Sequence, residues 1–122
     1  DEDALGWDWF SPHFDDGRKL MAFTMYVEGS EAYTTGTLIS AQGEPQTLGP
    51  DELQILPDNS SEVAGREVPV TWQIRIPKQQ IDITTEAFKA DQWNDSRYPY
   101  YEGAISFGGS HAGKGYMELT GY

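Results

Sequence analysis

The sequence contains no cysteine, which excludes disulfide bonds, thiolate metal sites and cysteine nucleophiles. Basic residues are also scarce, because 8 Lys and Arg stand against 20 Asp and Glu and give a formal net charge of −12. That charge would repel a phosphate backbone or an anionic membrane surface unless the basic residues clustered. Arg18 and Lys19 are the only adjacent basic pair, so we expect no nucleic-acid partner.

Long apolar runs are missing as well. No stretch approaches the roughly 20 apolar residues that a membrane-spanning helix needs, and no signal-peptide pattern stands at the start. We therefore expect no membrane span. The first residue is Asp1 rather than Met, so we expect that an upstream segment has been left out or removed.

Histidine is rare, and neither His13 nor His111 has a second ligand at a spacing typical of a metal site. The glycine-rich stretch around His111 lacks the Lys-Ser/Thr ending and the strand-to-helix context of a phosphate-binding loop. No Gly-x-Ser-x-Gly nucleophile motif is present. We expect no metal, no cofactor and no serine-hydrolase chemistry.

What the sequence does contain is a repeated strand pattern. Alternating, β-branched or aromatic runs recur along the chain, each bounded by Gly, Pro, Asn or Asp. A length of 122 residues suits one domain, which we assign to residues 1–122. The pattern predicts eight strands and no long helix, with the strands at 5–14, 20–28, 35–41, 46–56, 70–76, 81–87, 100–107 and 116–120.

The segments between these strands predict turns and loops. Asp15-Asp16-Gly17-Arg18 is typical of a tight hairpin, and Gly49-Pro50 indicates a bulge or bend inside the fourth strand. We predict a loop at the rim over 57–68 and an acidic loop, with room for one helical turn, over 91–95. A long glycine-rich connection at 108–113 joins the last two strands.

Short, consecutive connections favour an all-β fold in which about eight antiparallel strands form an up-and-down barrel. A sandwich of two sheets is the alternative architecture. Closure into a barrel removes exposed strand edges, and an eight-stranded barrel has room for side chains or one small ligand.

The densest motif is the aromatic first strand. Alternation places Trp7 and Trp9 on one face, with Asp8 and Phe10 on the other. Both faces therefore carry bulky apolar groups, which indicates packing outside the sheet as well as inside it. A second domain, a partner subunit or a covering loop would each satisfy that pattern.

Two carboxylates stand among aromatic residues and are candidates for acid-base chemistry. Asp8 in an apolar setting would have a raised pKa unless a partner such as Arg75 or a hydroxyl compensates. Glu102 follows two tyrosines and invites the same interpretation. One hypothesis is an interior polar cluster of Asp8, Arg75 and Glu102, and the alternative is that each is paired or solvated for structural reasons.

The aromatic residues also have two interpretations. Tryptophan and tyrosine favour strands and fill cores. They also line pockets for long apolar or polyene ligands, in which a few polar groups fix the orientation. We take as candidate ligand-binding residues Trp7, Asp8, Trp9, Trp72, Arg75, Tyr101 and Glu102.

Five motifs in order carry a family resemblance. They are Gly6-Trp7-Asp8-Trp9-Phe10, Asp15-Asp16-Gly17, Trp72-x-Ile74-x-Ile76-Pro77, Tyr101-Glu102-Gly103 and Gly115-Tyr116-x-Glu118-Leu119-Thr120-Gly121-Tyr122. From Gly6 to Tyr122 the chain resembles the C-terminal half of the AttH and carotenoid 1,2-hydratase family of lipocalin-like proteins.

The resemblance implies one barrel of a two-barrel architecture, with the N-terminal barrel missing. The aromatic residues on both faces of the first strand motivate a further hypothesis, a homodimer in which two copies imitate the two barrels. Family members include enzymes that hydrate carbon-carbon double bonds of carotenoids, and an Asp-His-Glu-Trp stretch upstream of the GWDWF strand is the usual candidate for their acid-base chemistry. This chain begins after that stretch, so we expect that the proton-transfer histidine is absent from it. The same resemblance indicates a cell-envelope, periplasmic or secreted location.

Two functions follow from these features. The first is a module that binds an apolar, isoprenoid or polyene small molecule, or that serves as the structural half of a two-barrel protein. The alternative is a hydratase or hydrolase in which Asp8 and Glu102 transfer protons.

Overall fold

The structure, a computed structural model, describes residues 4–95 and 99–122. Regular structure in these residues is β-strand apart from one 3-10 turn at Pro77–Gln79. No helix in the described ranges is long and apolar enough to cross a membrane. The strands are β1 (Ala4–Phe14), β2 (Lys19–Val27), β3 (Tyr33–Ile39), β4 (Pro45–Leu48), β5 (Gln54–Val63), β6 (Arg66–Ile76), β7 (Ile81–Ala87), β8 (Trp93–Asn94), β9 (Tyr100–Gly109) and β10 (Gly113–Leu119).

All ten strands belong to one antiparallel sheet with the order β4-β3-β2-β1-β10-β9-β7-β6-β5, and β8 pairs with β9. Most neighbours in the sheet are neighbours in the sequence, as an up-and-down topology requires. The first and last strands, β1 and β10, lie side by side. The sheet curls into a lipocalin-like barrel, which confirms the predicted all-β fold, and it is open between the edge strands β4 and β5.

The fourth predicted strand is two strands, because the chain turns at Gly49-Pro50 rather than bending within one strand. The predicted loop over 57–68 is wrong, since β5 and the start of β6 occupy most of it. β5 is an edge strand with mostly exposed side chains, so its sequence is polar. Its register shifts beside Pro57, where proline is tolerated.

The remaining differences are smaller. The acidic stretch predicted to hold a helical turn contains the short strand β8 instead, and part of the loop that follows lies outside the described residues. The last hairpin is longer than predicted, and only residues 110–112 separate β9 from β10. The hairpin turn predicted at 15–18 is present, where the Phe14 N–H donates to the Arg18 carbonyl at 2.8 Å.

The core forms because inward side chains of the strands are apolar at every second position. Phe10 of β1 and Trp72 of β6 meet across the interior edge to face, with ring centroids 5.1 Å apart. Fully burying one such side chain contributes about 1.5–3 kcal/mol. The largest fully buried side chains are Trp72, Tyr101, Phe10, Leu20, Leu48, Leu53, Ile74, Ile76, Ile81, Ile83, Ile105 and Met117.

Candidate functional site

Asp8 is the buried carboxylate of the barrel. It lies on β1, points inward with Phe10 and is 0% exposed. Its two oxygens accept hydrogen bonds from two tyrosines: Tyr26 of β2 donates to Oδ2, and Tyr122 donates to Oδ1 at 2.8 Å. The carboxylate is therefore held by hydroxyl groups from two separate segments of the chain.

Two glycines allow the end of the chain to reach Asp8. A Cβ at Gly6 would lie 2.5 Å from the Thr120 carbonyl oxygen, and Gly121 has a φ of +90°, where side chains are strained. The segment after β10 therefore lies close against the start of β1. The Trp7 N–H donates to Thr120 Oγ1 at 2.9 Å, and the Thr120 N–H donates to the Trp7 carbonyl at 2.9 Å.

Burial dominates the electrostatics of this group of residues. Loss of water raises the pKa of Asp8 above its ordinary value, and the two tyrosine hydrogen bonds offset part of that rise. Burial, together with the Asp8 carboxylate, raises the pKa of Tyr26 to about 12 and also raises the pKa of Tyr122. Both phenols therefore stay protonated donors over the neutral range.

A cleft of about 320 Å³ opens beside this carboxylate. Its walls are formed by Leu5, Gly6, Tyr26, Thr120, Gly121 and Tyr122. Leu5 is 61% exposed and forms an apolar lip, whereas Asp8 itself has no exposed surface. A proton passing between Asp8 and a molecule in the cleft would have to pass through Tyr26 or Tyr122.

Two of the predicted aromatic residues belong to the filled interior. Trp72 packs on Phe10, and its Nε1–H donates to the Pro69 carbonyl at 2.7 Å. Tyr101 lies in the same row of the sheet as Asp8, separated from it by Leu119 of β10. The Tyr101 hydroxyl donates to the Lys89 carbonyl at 2.9 Å, so it is directed away from the carboxylate.

The other two predicted aromatic residues lie on the outside of the barrel. Trp7 and Trp9 are half-buried and, with Phe23 and Met25 of β2, surround an indentation of about 320 Å³. The prediction that β1 carries Trp7 and Trp9 on one face and Asp8 on the other is confirmed.

The hypothesis of an interior cluster of Asp8, Arg75 and Glu102 is wrong. Arg75 is exposed on the outside of β6, where its Nε lies 3.5 Å from Asp82 Oδ2. Glu102 is exposed on the outside of β9, with its Cα opposite that of Glu118. Alternation along each strand places both side chains on the face opposite to the core.

Sequence reasoning missed the tyrosines of the site. Tyr26 could have been found from the hairpin register, because Asp8 pairs with Thr24 and Tyr26 is the next inward position on the same strand. Tyr122 could not have been found from the sequence, since its contact with Asp8 spans 114 residues and depends on the turn at Gly121.

In the part of the chain that the structure describes, no three His, Asp or Glu side chains gather closely enough to hold an ion. His13 and His111 instead contact neighbouring serines, with Ser110 Oγ 2.8 Å from His111 Nδ1.

The curled antiparallel sheet of mostly consecutive strands defines a lipocalin-like fold. The sequence profile of the AttH-like family matches residues 1–122, and the chain belongs to that family. A crystal structure at 2.00 Å resolution of a protein from Nitrosomonas europaea, assigned as AttH, is similar with 34% identity and a TM-score of 0.87. The match covers 100% of this chain and 40% of that chain. Comparison with curated proteins gives no match.

Proposed function

We propose that this chain is a binding module for an apolar small molecule of isoprenoid or polyene type, which occupies the cleft beside Asp8. The observation that carries the proposal is the cleft itself, where the exposed Leu5 and the rings of Tyr26 and Tyr122 offer apolar contact. The buried carboxylate behind these rings fixes the two hydroxyl groups. Such a pairing of apolar walls with a few oriented polar groups is typical of small-molecule sites.

The packing of the interior also supports a ligand at the rim. Trp72, Tyr101 and Phe10 are 0–1% exposed and stand among the aliphatic side chains of the core. A ligand at the cleft would not need to displace any of these side chains. Trp7, Trp9, Arg75 and Glu102 remain candidates only for contacts on the outside of the barrel.

A hydratase is the second candidate, and the raised pKa of Asp8 favours it. Hydration adds a proton to one alkene carbon and water to the other, and water then returns a proton to a base. Asp8 could supply and recover that proton through Tyr26 or Tyr122. Glu102 lies on the outer surface, so this route uses Asp8 without it.

A purely structural role within a longer protein is the third candidate. The relative from Nitrosomonas europaea is much longer, since this chain corresponds to 40% of it. In such a protein this domain would support a site formed with other segments.

The test is titration of the chain with geranylgeraniol, an acyclic isoprenoid, followed by tryptophan fluorescence. We expect saturable quenching that is weakened at least about tenfold by Leu5→Asp, because a charge at the lip opposes apolar contact. Leu56→Asp is the matched control, since Leu56 is 43% exposed on β5, away from the cleft. Equal affinities in the two variants would contradict the proposed cleft.

Product analysis separates binding from catalysis. A binding module returns geranylgeraniol unchanged after prolonged incubation. A hydrated alcohol that disappears in Asp8→Asn, with quenching retained, would instead establish the hydratase.

A further inference from the structure

The outside of β1, β2 and the start of β3 carries a continuous apolar surface. We name it the outer apolar face and define it by Trp7, Trp9, Met21, Phe23, Met25 and Tyr33. The strand register places Trp7 beside Met25 and Tyr33, and Trp9 beside Phe23. Met21 is 47% exposed and Tyr33 is 46% exposed, so solvent reaches much of this surface.

No charged side chain lies between these six residues, and Glu118 of β10, whose Cα is opposite that of Trp9, borders the face. The indentation of about 320 Å³ between Trp7, Trp9, Phe23 and Met25 is large enough to receive side chains from another surface. An exposed apolar patch of this kind marks an interaction site in soluble proteins. For a chain with a net charge of −12, a neutral patch is also where a second acidic molecule can approach with least repulsion.

The two ends of the face carry opposite charges. At one end, His13, Lys19 and Lys114 stand side by side in one row across β1, β2 and β10. Asp16 in the turn beyond that row is paired with Arg18 at 2.7 Å, while Asp15 of the same turn has no ion pair among the described residues.

At the other end, Glu28 and Glu31 are both exposed in the turn between β2 and β3. Strand β2 runs from the basic end at Lys19 to the acidic end at Glu28, and its apolar outward residues lie between the two ends.

We propose that the outer apolar face docks a second copy of this chain. The two copies are related by a two-fold axis that lies between the faces and runs across the strands, so the strands of one copy are antiparallel to those of the other. The basic row of each copy then lies against Glu28 and Glu31 of its partner copy. A two-fold interface uses the same patch on both copies, and this patch is complementary to itself in charge.

The size of the face determines how tight the dimer is. Three strands spaced about 4.8 Å apart and six residues of about 3.4 Å each give roughly 300 Å² per copy. Stable interfaces bury about 800 Å² per partner, so we expect a weak dimer that dissociates on dilution. This inference does not rest on the cleft, which lies at a different part of the barrel.

Sedimentation equilibrium from about 5 to 500 μM tests the proposal, and those concentrations span the weak affinities expected at this interface size. We expect the unmodified chain to dimerise and Met21→Glu to weaken dimerisation at least about tenfold, because it places a charge in each copy of the interface. Thr84→Glu is the control, since it adds the same charge to an exposed outward position on β7. If the chain is a monomer at every concentration, the proposal that a second copy binds this face is wrong, and the face would bind a different polypeptide. Equal weakening by both variants would place the contact elsewhere.

Charge reversal tests the orientation. Lys19→Glu and Glu31→Lys should each weaken the dimer by several fold, whereas the combined variant should recover most of the affinity because each new pair is again opposite in sign. Circular dichroism and melting of each variant check that the fold is retained. A combined variant weaker than either single variant would overturn the antiparallel arrangement.

Discussion

Strands β1 and β6 are both 11 residues long and bury their inward side chains in the same core, but their outward side chains differ in kind. Near the middle of β1 the outward residues are Trp7 and Trp9. In the second half of β6 they are Thr71, Gln73 and Arg75.

Two of these outward side chains of β6, Gln73 and Arg75, have a partner within their own sheet. Gln73 Nε2 donates to Asp82 Oδ1 of β7 at 2.9 Å, and Arg75 forms its ion pair with the same carboxylate. Trp7 and Trp9 contact apolar neighbours and remain partly exposed. The inward positions of a barrel thus determine the fold, while the outward positions determine whether the sheet has further contacts to make.

The largest expected effect is on the shared core. Phe10→Ala on β1 should lower the free energy of unfolding by about 3–5 kcal/mol and Ile74→Ala on β6 by about 2–5 kcal/mol, because each leaves a cavity. Urea unfolding measures both, with Thr84→Ala, at an exposed outward position on β7, as control. If Phe10→Ala cost under about 1 kcal/mol, the two strands would not share one core.

The inward side of β1 carries the carboxylate of Asp8, whereas the buried residues of β6 are apolar. The contribution of Asp8 to the free energy of unfolding depends on pH. The pKa of Asp8 in the folded protein is raised above its ordinary 3.8. The folded state therefore holds more protons than the unfolded state from about pH 4 up to the folded pKa, and the free energy of unfolding falls as pH rises through that window.

Asp8→Asn removes this titration, so the stability of the unmodified chain relative to the variant should decline above about pH 4 and then level off. Urea unfolding of both proteins at several pH values gives that difference. A difference that is constant with pH, or that grows in favour of Asp8 as pH rises, would show that burial does not raise the pKa.

Alternation predicted the two faces of β1 and β6 because the side-chain period of a strand is a local property. It left undecided which face of β1 is inward, since both carry aromatic residues. Asp8 is on the inward face, where hydrogen bonds from Tyr26 and Tyr122 offset part of its loss of water. The partner tyrosine at the chain end depends on tertiary folding, which no spacing in the sequence reveals.

Because the sequence does not reveal tertiary contacts, it also led to wrong expectations for Arg75, Glu102 and β5. The hypothesis of an interior cluster groups Arg75 and Glu102 with Asp8 by chemistry alone, although their positions in each strand direct them outward. The polar edge strand β5 resembles a loop in sequence because neither of its faces is strongly buried.

The smallest expected effect concerns the outward positions of both regions. Met21→Thr, which gives the outer apolar face the character of β6 and β7, and Thr84→Met, which does the reverse, should each change the free energy of unfolding by no more than about 0.5 kcal/mol. Both side chains are exposed in a single copy, so neither supports the core. Urea unfolding at low micromolar protein measures the single copy without association. If Met21→Thr lowered the free energy of unfolding by more than about 1.5 kcal/mol, the outer apolar face would stabilise the monomer. Its difference from the polar outside of β6 and β7 would then reflect folding rather than partner binding.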